Sequence, residues 1–105
     1  MMERPARATE GEAEAALAAL PAWRRDGDAL CATFRFGSFR DAVGFTAEVA
    51  EVAEALDHHP EWRVAYRVVD VSTTTHDVGG LSRRDFELAE RVAALAAARD
   101  AAAPD

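Results

Sequence analysis

All three histidines of the chain, His58, His59 and His76, fall in one stretch, and the first two are adjacent and followed by Pro60. Imidazole is the side chain whose unperturbed pKa, roughly 6.5, lets it both donate and accept a proton near neutrality. Several imidazoles around one pocket suit an elimination, in which one atom loses a proton while a leaving hydroxyl gains one. No serine or cysteine nucleophile motif and no glycine-rich phosphate loop competes with that chemistry. Plainer roles are open to each ring. His58 follows Glu54 by one helical turn, so an ion pair is available to it, and a cation suits a helix C-terminus. His59 could fill the passage from helix to strand, and His76 could sit on a loop rim. Three histidines can also hold zinc with one position open. The spacing disfavours that reading, because adjacent residues of an extended chain project to opposite sides and no helical pair one turn apart is present.

The elements that must position these rings are legible around them. Thr9 and Glu12 have capping-box spacing at the head of a first helix over Thr9 to Leu20, which Pro21 stops. Trp23-Arg24-Arg25 then runs into Asp26-Gly27-Asp28, a tight-turn signal, and Leu30, Ala32, Phe34 and Phe36 alternate with polar neighbours as a half-buried strand. Ser38 caps a second helix whose face is Phe45, Val49, Val52 and Leu56; Val43 and Ala47 add a second apolar edge that suits another packing partner. Pro60 is expected to end this helix and to push His59 toward extended geometry.

Glu61 to Thr75 is rich in β-branched and aromatic residues, yet its parity changes midway. Trp62, Val64, Tyr66 and Val68 share one face, whereas Val69, Val71 and Thr73 share the other, so a bulge or a tight turn is required near Arg67. Ser82 caps a third helix with Asp85 at capping-box spacing, and Leu88, Val92 and Leu95 form its stripe. Segments 1–8 and 97–105 are expected to be flexible tails of a single domain over 1–105. The pattern is α+β, with an antiparallel sheet covered by helices on one face.

Composition bounds the partners. With 12 basic and 19 acidic residues the net charge is -7, which argues against non-specific binding to nucleic acid or to an anionic membrane. Cys31 is the single cysteine, so a disulfide framework and a cysteine zinc site are out, and a reducing cytoplasm is the default setting. The N-terminal residues lack an apolar core of signal-peptide length, and no apolar run is long enough to span a bilayer. An alanine-dominated core of this size would gain from burying surface between subunits.

The stretch EALDHHPEWRVAYRVVDVSTTTHDVGGLSRRD closely resembles the pterin-4a-carbinolamine dehydratases. Their signature places an acidic residue ahead of His-His-Pro, then a tyrosine, a histidine and an aspartate; here these are Glu54, His58-His59-Pro60, Tyr66, His76 and Asp85. The resemblance spans residues 10–96. It implies an α-β-β-α-β-β-α order with a four-stranded antiparallel sheet, and hence a hairpin near Arg67. It also implies loss of water from 4a-hydroxytetrahydropterin, without metal or organic cofactor, recycling the product of aromatic amino acid hydroxylases. Carried over, His58 and His76 would move protons at the 4a-hydroxyl, and His59 would bind the pterin and assist. Glu54, Asp57 and Asp85 would orient histidines or ring nitrogens, Asp77 would be a minor contributor, and Pro60 and Trp62 would shape the pocket. Asp85 is also accounted for by its capping box alone. The resemblance further implies a homodimer or homotetramer. Animal relatives also stabilise the dimer of a transcription factor, so a partner-binding role is left open.

Overall fold

Caps and turns set the boundaries of the elements. The computed structural model describes residues 5–102. Thr9 and Glu12 exchange the two capping-box hydrogen bonds, at 2.9 and 3.1 Å, and open α1, Glu10–Ala18. This helix stops two residues short of Leu20, whose buried side chain instead leads the chain into the sheet. Strands β1, Trp23–Asp26, and β2, Ala29–Arg35, form a hairpin closed by Gly27 at φ 59°. Ser38 accepts the Asp41 N–H at 3.0 Å and starts α2, Phe39–Leu56. Strands β3, Glu61–Ala65, and β4, Val68–Thr73, follow, then a 3-10 turn at His76–Val78, then α3, Arg83–Ala98.

The order is therefore α-β-β-α-β-β-α, and the antiparallel sheet runs β1-β2-β4-β3. A hairpin resolves the change of parity. Trp62 lies opposite Val71 and Val64 opposite Val69, so the two apolar sets that alternate out of phase along the chain meet on one face of the sheet. The two-residue turn is Tyr66-Arg67, and Tyr66 takes the positive φ of 54° that a primed turn needs at its first position. The Arg67 guanidinium lies 5.8 Å from the Tyr66 ring centroid, a cation–π contact.

The buried face of the sheet meets the helices through a chain of rings. Trp23 and Phe34 pack edge-on at 6.3 Å, Phe34 and Phe45 at 5.5 Å, and Phe36 lies 4.8 Å from Phe45. Phe45 is fully buried on α2, with Ala42 and Val49 beside it. Alanines occur throughout this core, but leucines, valines and the four rings supply its bulk.

The chain ends are tied more firmly than their composition suggests. Helix α3 continues through Ala96 to Ala98, Arg99 reaches back to Glu48 and Asp41 of α2, and Ala102 pairs with Arg35 at 2.8 and 2.9 Å. At the other end the Ala8 N–H donates to the Leu81 carbonyl at 2.7 Å. Ala8 and the segment 97–102 are thus held where flexible tails were expected; residues 1–4 and 103–105 lie outside the described residues. Among the described residues no helix is long and apolar enough to cross a membrane.

Because Phe45 joins two of the three ring contacts, Phe45→Ala should lower the unfolding free energy by about 3–5 kcal/mol. Urea unfolding followed by circular dichroism measures this, and a loss under about 1 kcal/mol would mean that the core closes over the gap.

Candidate active site

The two adjacent histidines owe their placement to the way α2 ends. Asp57 adopts the left-handed conformation, φ 51° and ψ 44°. Its N–H bonds to Glu54 at 3.2 Å, and the His58 N–H bonds to the Ala53 carbonyl at 3.0 Å. These are the paired bonds of a Schellman motif. The helix stop is therefore Asp57 and not Pro60, which lies three residues on at the entry to β3. The left-handed residue reverses the chain, so His58 turns inward and is buried while His59 stays exposed. The two rings thus face different ways, one inward and one outward, and both still line one cleft.

His58 does not pair with Glu54. Its Nε2 lies 2.7 Å from Asp85 Oδ1, and Asp85 is fully buried at the first turn of α3. That carboxylate has four donors. Oδ1 also accepts from Thr73 Oγ1 at 2.7 Å, while Oδ2 accepts from Thr75 Oγ1 at 2.7 Å and from the Ser82 N–H at 2.9 Å. Burial by itself pushes the carboxyl up, but the bonds from His58, Thr75, Thr73 and the Ser82 backbone outweigh it and hold Asp85 below its ordinary value. Asp85 is thus both the capping-box residue and the partner of His58. An ionised carboxylate only accepts, so His58 Nε2 carries the proton between them. Nδ1 is then the ring nitrogen left for a molecule in the cleft.

The cleft, about 360 Å³, is lined by Asp57, His58, His59, Thr74, Thr75, His76, Asp77 and Arg84. The β4–α3 connection brings His76 in. Thr75 and Gly80 pair across its base, and Thr75 Oγ1 ties it to Asp85. His59 Nε2 sits 2.6 Å from Glu54 Oε2; both are more than half exposed, so this pair orients the ring more than it stabilises the fold. Pro60, Trp62, Glu54 and Asp85 do not line the cleft itself. A narrow recess holding His59, His76, Glu61, Ser72 and Thr74 continues from it. Through Glu61 and Ser72 that recess adjoins a second depression of about 260 Å³ flanked by Trp62. Thr73, Thr74, Thr75 and Arg84 were not singled out as site residues from sequence, and Ser82 was read only as a helix cap. Three threonines in a β-rich run read as strand propensity, and an arginine at a helix start reads as a solvated charge. Among the described residues no group of three or more His, Cys, Asp or Glu side chains is arranged to hold a metal ion.

Fold and cleft together define a class: a small α+β domain whose histidine cleft is backed by a buried carboxylate, an arrangement suited to moving protons on a polar small molecule. The family model described as "Pterin 4 alpha carbinolamine dehydratase" matches residues 6–95, and the chain belongs to that family. A protein of Rhodopseudomonas palustris (strain BisB18) is 47% identical over 93 residues, covering 87% of this chain and 92% of that protein. One of Novosphingobium aromaticivorans is 52% identical over 86 residues, covering 80% and 90%. Both carry the name "Putative pterin-4-alpha-carbinolamine dehydratase". A solved structure from Brucella melitensis, titled a transcriptional coactivator/pterin dehydratase, has a TM-score of 0.83 and 42% identity, covering 86% of this chain and 98% of that one.

The lowered carboxyl of Asp85 has a signed consequence for stability. A group held below its unfolded value contributes stability that is complete above that value and disappears as pH falls through the folded one. Asp85→Asn should therefore cost about 3 kcal/mol at neutral pH. The gap between wild type and variant should close as pH falls below about 4, the ordinary aspartate value. Urea unfolding at stepped pH measures it, and a gap that stays constant into acid would contradict this role.

Proposed function

We propose that this chain dehydrates 4a-hydroxytetrahydropterin to quinonoid dihydropterin by histidine general acid–base catalysis, recycling the pterin cofactor of aromatic amino acid hydroxylases. The observation that carries the reading is the buried His58–Asp85 pair opening onto the cleft that His59 and His76 also line. Membership of the dehydratase family supports it. In the step, the ring N–H beside the carbinol carbon loses its proton, the C–O bond breaks, a C=N bond forms, and the hydroxyl departs as water once protonated. Nothing is oxidised or reduced, so the atoms balance without a cofactor.

His58 takes the ring proton through Nδ1, while Asp85 keeps Nε2–H fixed and stabilises the imidazolium that results. His76, which lines the same cleft, protonates the leaving hydroxyl. His59, aimed by Glu54, binds the pterin. Asp57 and Asp77 accept from ring N–H groups at the rim. Trp62 supplies an apolar wall next to the recess, and Pro60 stiffens the link between them. A carbinolamine already loses water unaided, so the roughly 10²–10⁴-fold that positioned acid–base groups supply is enough.

Stopped-flow absorbance on 4a-hydroxytetrahydropterin tests this. Wild type should exceed the spontaneous rate, and His58→Ala and His76→Ala should each cut the enzymatic rate by about 10²-fold. His59→Ala should act chiefly on KM. A wild-type rate equal to the spontaneous one removes the reading.

The same chain is a homodimer or homotetramer acting in the reducing cytoplasm, where its free Cys31 stays a thiol. Phe39 and Val43 support self-association, because both stand exposed on α2, at 55% and 43%. Val43→Glu should lower the mass found by sedimentation equilibrium. A wild-type chain that sediments as a monomer would exclude the assembly.

A further inference from the structure

We propose that Thr73 is a positioning residue for His58, setting through a shared carboxylate oxygen how tightly Asp85 holds the imidazole; this rests on the dehydratase reading of the cleft. Thr73 ends β4 at an inward position, opposite Leu30 of β2, and only 2% of it is exposed. Its strand neighbours on that face, Val69 and Val71, are purely apolar. A hydroxyl at such a place costs stability unless it is bonded. Thr73 Oγ1 donates to Asp85 Oδ1 at 2.7 Å.

That oxygen is the one that receives His58 Nε2–H, also at 2.7 Å. The two oxygens of Asp85 therefore serve different groups. Oδ2 is committed to the loop and the helix cap through Thr75 and Ser82. Oδ1 is shared between Thr73 and His58. A donor on Oδ1 draws charge away from it and weakens its pull on the imidazole proton. The same donor fixes the carboxylate plane, and with it the direction of the ring. Thr73 does not line the cleft, so it acts on the chemistry only through Asp85.

Thr73→Val removes the donor at nearly constant volume. Asp57, His59, His76, Asp77 and Arg84, the other charged or titratable side chains facing His58, are unaltered by it. With the hydroxyl gone, Oδ1 holds the His58 proton more strongly and favours the imidazolium. His58 then becomes available as a base only at higher pH.

Two readouts test the inference. The His58 Nε2–H proton resonance, recorded without substrate, should move downfield in Thr73→Val. The acidic limb of the dehydration pH–rate profile should move up by roughly half to one pH unit. Thr73→Ser keeps a hydroxyl and should match wild type in both. If the valine variant does not fold, Thr73→Ala carries the same two expectations. An unchanged resonance and limb, or an equal change in the serine variant, would overturn the role of Thr73. An inactive wild type whose resonance still shifts in the valine variant alone would sink the dehydratase reading and uphold Thr73.

Discussion

A fully buried carboxylate organises the functional end of this molecule. Removing a charge from water costs several kcal/mol unless enough donors replace the lost hydration. Asp85 therefore needs every one of its four partners, and these come from separate parts of the chain: the end of α2, the end of β4, the loop that carries His76, and the cap of α3. Each part is held to the others by the need to keep that charge solvated. The cap that starts α3 and the pair that orients His58 are a single device, since one side chain performs both.

The cleft inherits its shape from this arrangement. His58 is inward because Asp57 reverses the chain in a left-handed conformation, and the buried bond to Asp85 then keeps it there. His76 reaches the cleft on a loop whose base is fastened by Thr75 to the other oxygen of the same carboxylate. His59, exposed and paired with Glu54 at the surface, is held less firmly than His58.

Local signals were readable where one residue type has one strong preference. The capping boxes at Thr9 and Ser82, the Ser38 cap and the alternation along Leu30, Ala32 and Phe34 all correspond to observed elements. Conflict appeared where a rule had a competitor. Pro60 looked like the helix stop, but a left-handed Asp57 ends the helix sooner. Tyr66 and Arg67 carry no turn chemistry of their own, and the hairpin forms because the flanking valines gain more by sharing a buried face than the strained Tyr66 costs. The terminal segments looked loose because alanine-rich ends have little to pack, yet Arg99 and Ala102 find partners on α2 and β2.

The histidines, the proline beside them and the acidic residues at their spacing were enough to indicate acid–base chemistry, and the long match to a dehydratase signature gave that chemistry a substrate class. Period and capping, which depend on near neighbours, placed the three helices and the first hairpin, and left a bulge or a turn near Arg67 that the resemblance alone read as a second hairpin. Which histidine meets which carboxylate was decided only by the tertiary structure. Glu54 is one turn from His58 along the helix, but the reversal at Asp57 hands it to His59 and sends His58 to Asp85, 27 residues away. The capping box displayed the Ser82 donor, but the other three come from 10, 12 and 27 residues away, and no local pattern could have shown them.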